Sequence, residues 1–220
     1  MEKIATIKII AGKFKGKILN AHILPHTRPT KAIVKESVFN TISPVIKDKV
    51  FIEVFAGYGS MGFEALSRGA REVIFLEKNK DSFKILQKNI TMFDSYKDKI
   101  LAENADSFEI LSSQNSIINR GDILYFDPPF SLNGELYAKI FNLLESHCFL
   151  KSQTSPQSLL ESKIIKSTQI PPKSQFKNTM LIFEHNSNFQ MPSFIASIPL
   201  QKTRKFGKTS ISYYFRHDFC

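Results

Sequence analysis

From residue 50 onward the chain alternates short apolar runs with amphipathic ones, and the first junction is a glycine loop. "VFIEVF" (50–55) reads as a strand, "GYGSMG" (57–62) as a loop, and "FEALSRG" (63–69) as a helix stopped by Gly69. "EVIFLE" (72–77) is a second strand and "KDSFKILQKNITMF" (80–93) an amphipathic helix. "ILAENADS" (100–107) carries a short strand and a turn, followed by a helix to about 112. "DILYF" (122–126) is a strand, "ELYAKIFNLLESH" (135–147) a helix and "TMLIFEH" (179–185) another strand. Strands alternating with helices at this pitch build βαβ units and a parallel sheet, so the fold class is α/β.

The flanks differ. "TIKIIAGKFKGKILN" (6–20) alternates apolar and polar residues around Gly12 and Gly16, which predicts a hairpin with lysines on one face. After the turn "PHTRPT" (25–30), Ile33, Val34, Val38 and Ile42 recur at helical spacing, with Thr30 as N-cap. At the other end, "SFIASIPLQKTRKF" (193–206) and "TSISYYFRH" (209–217) predict an antiparallel pair joined through Gly207. Residues 151–178, rich in Ser, Gln and Lys with three prolines, predict a surface excursion with a short helix at 157–166.

The 220 residues suit one domain, or one domain with a small appendage, and 42% hydrophobic residues supply a sizeable core. No apolar run approaches the roughly 18 residues of a membrane span, and "MEKIATIKII" is too polar for a secretory signal. Cys148 and Cys220 lie far apart without metal spacing, so the expectation is a reducing, cytoplasmic setting and no metal. The net charge of +10 is unevenly placed: residues 1–40 carry eight Lys/Arg against two Glu, and residues 201–220 five against one Asp. The body between them balances 17 basic with 17 acidic residues. A neutral body with two basic ends suits a polyanion such as RNA.

"GYGSMG" fits Gly-x-Gly-x-x-Gly between strand and helix, where glycines bring backbone close to a ligand. Glu77 ends the next strand, 20 residues after Gly57, where a carboxylate accepts from two ribose hydroxyls. Glu53 precedes the loop. An acid there disfavours a pyrophosphate but favours a sulfonium and an amino-acid ammonium, which points to S-adenosylmethionine rather than a dinucleotide. Asp106 suits the adenine amino group, a helix N-cap before "SFEIL", or both.

"DPPF" (127–130) follows a strand, at the edge where parallel sheets bind ligands. Two prolines remove two N–H donors and stiffen the carbonyls. A planar amino group can then be gripped by the Asp127 carboxylate and the Pro128 carbonyl, with Pro129 holding the turn. Phe130 offers a face for a base, a contact worth roughly 1–3 kcal/mol.

With these motifs in order, the chain resembles the RsmD family of bacterial 16S ribosomal RNA guanine-N2 methyltransferases. The similar segments are 7–19, "RPTKAIVKESVFNTISPVI" (28–46), "FIEVFAGYGSMGFEALSRGA" (51–70), "DILYFDPPF" (122–130) and "RKFGKTSISYYFR" (204–216). The resemblance implies a Rossmann-like class I methyltransferase fold. Its sheet would have seven mostly parallel strands with the last antiparallel, preceded by a small N-terminal hairpin and helix extension over 1–45. The methyltransferase domain would span 46–220, with the insertion at about 151–178. It further implies that Glu53, Phe55, Gly57, Gly59, Gly62, Glu77 and Asp106 hold S-adenosylmethionine, leaving S-adenosylhomocysteine as product, and that Asp127–Phe130 hold the guanine. Arg28 and Thr30 would lie at the mouth, contacting cofactor or RNA. Lys13, Lys15, Lys17, Arg28, Lys31, Lys35, Arg204, Lys205 and Lys208 would contact 16S rRNA or the 30S subunit, with the protein a monomer. Glu53 departs from the family's usual Asp, Tyr58 from a small residue, and the insertion is longer; with five Lys and one Glu it is either extra RNA contact or a tolerated loop. Rival readings are a DNA adenine-N6 methyltransferase, for which 220 residues leave little room for target recognition, and protein glutamine methylation, which normally uses Asn before the prolines. A non-catalytic RNA-binding assembly factor is a third.

Overall fold

The computed structural model describes residues 7–21, 32–113, 117–129, 134–150 and 178–216. Arg28, Thr30, Lys31, Phe130 and the helix expected at 157–166 lie outside the described residues. The elements are β1 (Ile7–Lys8), β2 (Ile18–Leu19), α1 (Ala32–Ile42), β3 (Val50–Glu53), α2 (Ser60–Ser67), β4 (Glu72–Leu76), α3 (Lys80–Thr91) and β5 (Ile100–Glu103). They continue with α4 (Ser107–Ser112), β6 (Ile123–Phe126), α5 (Glu135–Leu150), β7 (Met180–Asn186), β8 (Phe194–Ile195), β9 (Ile198–Phe206) and β10 (Thr209–Tyr214).

The main sheet has the order β5-β4-β3-β6-β7-β10-β9-β8. Its first five strands are parallel, and β10 inserts antiparallel between β7 and β9. The seven expected strands are therefore present, with the two-residue β8 added at one edge. The chain enters at β3, steps outward through β4 to β5, then returns to β6 on the other side of β3. That reversal opens a crevice at the carboxyl ends of β3 and β6, where open α/β sheets bind ligands.

Period-two alternation divides the core between the two faces of the sheet. Phe51, Phe75, Ile123, Tyr125, Ile182 and Tyr213 pack on one face with α1, α2 and the hairpin. Ile52, Ile74, Leu124, Phe126, Phe183 and Tyr214 pack on the other with α4 and α5. Each such side chain contributes about 1.5–3 kcal/mol by leaving water. Phe126 and Phe183 stack at 4.5 Å and 7°, locking β6 against β7 beside the crevice.

The hairpin shares this core through Ile7, Ile9 and Leu19. It is tied to α2 by the Ile10 and Ala11 amides, which donate to the buried Glu64 carboxylate at 2.8 and 3.1 Å. Glu64 also accepts from Arg68 Nε at 2.8 Å, so its charge is compensated. On α1, Val34, Val38 and Ile42 are buried as the spacing predicts, but Ile33 is 60% exposed. At 3.6 residues per turn, position 33 falls just outside the arc formed by 34, 35, 37, 38, 39 and 42.

Candidate active site

The glycine loop is shaped by what lies behind it. Gly59 has φ +83° and caps α2, and a Cβ there would meet Phe63 and Leu86 below 3 Å. A Cβ on Gly62 would lie 2.2 Å from the Phe75 ring. Gly62 lets α2 close on the sheet, and Gly59 lets α3 and the start of α2 close on the loop. Gly57 differs: a Cβ there has open space for 4 Å. Its amide donates to Glu77 Oε2 at 2.6 Å, so the backbone faces the crevice beside an acid.

Glu53, at the end of β3, turns under α2. Its carboxylate accepts from the Met61 and Gly62 amides at 3.2 and 2.8 Å, donors that the first turn of a helix leaves unpaired. The positive end of α2 is thus already taken by an acid, which removes it as a pyrophosphate cradle. Burial pushes the Glu53 carboxyl up to about 8, against the lowering pull of those amides and of Lys35. A cation brought beside this carboxyl would favour its ionised form.

Glu77 accepts from Gly57 through Oε2 and from the Asn79 amide through Oε1, both at 2.6 Å. Burial raises its pKa. A carboxylate has about four lone-pair sites, so two remain for hydroxyls. Asp106 caps α4, accepting from Phe108 N at 2.9 Å, and pairs with Lys78 at 2.7 Å. The Lys78 hydrogen bond and charge hold it below the usual carboxylate range. Phe55 lies half-buried with its ring 6.0 Å from Phe108, edge to face.

Asp127 follows β6 directly, with Pro128 buried and Pro129 exposed beyond it. Removal from water, then the charges of Glu184 and Glu53, hold its carboxyl well above the usual carboxylate range. Glu184, which motif reading missed, is 4% exposed and accepts from the Tyr125 hydroxyl at 2.6 Å. Tyr137 of α5 donates to the Glu184 carbonyl at 3.2 Å. The available signal was an acid near the end of "TMLIFEH", the counterpart of Asp127 after "ILYF".

The basic residues divide sharply. Lys35 is 2% exposed and donates to the Lys8 carbonyl at 2.7 Å and to Ser60 Oγ at 3.4 Å. It is therefore withdrawn from the expected RNA surface: it sits within the buried arc of α1, between Ile42 and Phe39, where it fastens hairpin to α2. Arg204 is half-buried and donates to Ser37 at 3.0 Å. Lys13 is hydrogen-bonded to the Tyr96 hydroxyl, and Lys17 donates to the Met92 carbonyl at 2.5 Å and lies 4.6 Å from the Phe93 ring. Lys15, Lys205 and Lys208 are exposed. Among the described residues no group of three or more His, Cys, Asp or Glu is placed to hold a metal, and no helix is long and apolar enough to cross a membrane.

Residues 7–215 match the sequence model of a family described as "Conserved hypothetical protein 95". The chain is 36% identical over 158 residues to ribosomal RNA small subunit methyltransferase D of Haemophilus influenzae, covering 69% of this chain and 80% of that one. It is 34% identical over 147 residues to the protein of the same name in Escherichia coli, covering 67% and 71%. Among solved structures, the Escherichia coli protein yhhF superposes with a TM-score of 0.70 at 23% identity, covering 96% of this chain and 98% of that one. An RNA methyltransferase of Salinibacter ruber, solved with S-adenosyl-L-homocysteine, shares the fold at a TM-score of 0.50 and 15% identity, over 86% and 95% of the two chains.

Proposed function

Because the chain belongs to the ribosomal RNA small subunit methyltransferase D family, we propose that it methylates the exocyclic N2 amino group of one guanine in 16S ribosomal RNA, using S-adenosylmethionine. The observation that carries this reading is the meeting of two acid sets at one sheet edge. Glu53 and Glu77 flank the open Gly57 backbone, and Asp127 with its prolines ends the adjacent strand.

The donor cradle suits the cofactor. Glu53 would face the sulfonium and ammonium, Glu77 the ribose hydroxyls, Asp106 the adenine amino group, and Phe55 the ring. When bound, S-adenosylmethionine supplies an electrophilic methyl group. The residues of the chain do the rest. The guanine amino group is a poor nucleophile because its lone pair is delocalised, so the protein contributes chiefly position. The Asp127 carboxylate and Pro128 carbonyl accept hydrogen bonds from its two N–H groups and turn the nitrogen lone pair toward the methyl. Phe130 stacks on the base, which must leave its own stack to enter. Arg28 and Thr30 would contact cofactor or RNA and Lys31 the RNA, and Lys15, Lys205 and Lys208 meet the phosphate backbone of 16S rRNA, free or in a 30S particle. The protein acts as a cytoplasmic monomer.

The test supplies labelled S-adenosylmethionine with unmodified 30S subunits, naked 16S RNA or DNA, followed by digestion to nucleosides. Label in N2-methylguanosine is expected. Label only in N6-methyladenine, or cofactor binding without any transfer, overturns the proposal.

A further inference from the structure

Strand pairing places a second carboxylate beside Asp127. Phe126 pairs with Phe183 as the last pair of the β6–β7 register; Asp127 follows directly where Glu184 continues β7, and the Glu184 charge acts on it. Paired residues of parallel strands share a face, and residues two apart along a strand do too. Tyr125, Asp127 and Glu184 therefore project on one side, with Glu53, the β3 partner of Tyr125, on that side as well. The hydrogen bonds agree: the Tyr125 hydroxyl reaches Glu184 Oε2 at 2.6 Å, and Tyr137 closes over the Glu184 carbonyl at 3.2 Å.

We propose that Glu184 is a positioning residue for methyl transfer, held by Tyr125 so that its carboxylate makes the neighbouring Asp127 the acceptor of the guanine N2 proton. This rests on the function proposed above. In the step, the N2 lone pair forms the new N–C bond as the methyl–sulfur bond breaks, its electron pair staying on sulfur as a thioether. The nitrogen then carries positive charge until an N–H proton passes to the Asp127 carboxylate, leaving neutral N2-methylguanine. An ordinary aspartate binds a proton weakly. A second negative charge in the same buried site strengthens that binding, because like charges resist ionising together.

The titratable groups facing Glu184 among the described residues are Tyr125 and Asp127 from β6 and Tyr137 from α5, while Glu53 of β3 acts on Tyr125 and Asp127. Its β10 partner is the apolar Ile211, and the adjacent His185 bonds Ser212 instead. The raised titration of Asp127, Tyr125 and Tyr137 fits this cluster, since Glu184 is among the causes for each.

The experiment is single-turnover methylation of the RNA substrate against pH, with cofactor affinity measured alongside. The wild-type rate should rise with pH through a limb well above the ordinary carboxylate range. Glu184→Gln should move that limb down by about one pH unit or more and slow the plateau by at least about tenfold, with cofactor affinity within about threefold. Glu184→Asp, which keeps the charge, should fall between the two. A wild-type rate flat down to about pH 5 overturns the inference without any variant. So does Glu184→Gln with unchanged limb and rate. If wild type makes no N2-methylguanosine at all, the proposed function fails instead, so the two failures are separable.

Discussion

The acids of the crevice and the bases of the chain ends were both singled out by their charge, and the structure treats them in opposite ways. At the crevice, Glu53, Glu77 and Asp127 are held where ionising is unfavourable, each pushed up first by loss of water. At the ends, Lys17, Lys35 and Arg204 are at least half-buried and have found partners within the protein, while Lys13 bonds Tyr96 but stays exposed. Frustrated charge marks a place where a ligand of opposite charge gains stability by arriving; satisfied charge marks a joint. Charge counted along the chain does not separate the two, whereas burial and hydrogen bonding do.

The comparison breaks most visibly at Asp127. Asp127→Ala should lower kcat by about 10²–10⁴-fold while cofactor affinity, measured calorimetrically, stays within a few-fold. A large loss of cofactor binding would place Asp127 with the cofactor cradle rather than the base pocket. Next comes pH. In the free protein Glu53 is largely protonated below about 8, and a cation beside it favours the ionised form. Cofactor binding should therefore expel a proton, so affinity rises with pH by up to about tenfold per unit and levels above about 8. Calorimetry in buffers of different ionisation enthalpy counts that proton, and pH-independent binding would detach Glu53 from the cofactor.

Lys35→Met should act as damage to a joint. It removes the donor to Lys8 and Ser60 and lowers unfolding stability by about 1–3 kcal/mol in denaturant titration. If stability held while RNA affinity fell, Lys35 would return to the RNA surface. The smallest effect is at the exposed lysines. Replacing Lys15, Lys205 and Lys208 together should leave stability within about 0.5 kcal/mol per site. It should flatten the logarithmic salt dependence of RNA binding by roughly 2. An unchanged slope would remove these ends from the interface.

Much of this was legible in the sequence. The order of strands and helices, the glycine loop and "DPPF" are local patterns, set by side-chain period and by the conformational limits of Gly and Pro. The capping of α4 by Asp106 and the joining of β9 to β10 through Gly207 were readable for the same reason. Ile33 was misjudged by one position on a helical wheel, because spacing gives a stripe but not its edge. Lys35 falls inside that same stripe, and a lysine among core positions was a signal of burial that its charge concealed. Glu184 carried a fainter sign, an acid near a strand end without a motif around it.

The sequence by itself determined the α/β alternation, the cofactor loop and the acid–proline string, since each depends on neighbours a few residues apart. Only the tertiary structure decided that Glu184 lies beside Asp127, some 57 residues earlier in the chain, and that Glu53 occupies the amino end of α2. Those neighbours follow from strand order and register, which hydrophobic burial across the whole sheet selects and no local segment encodes.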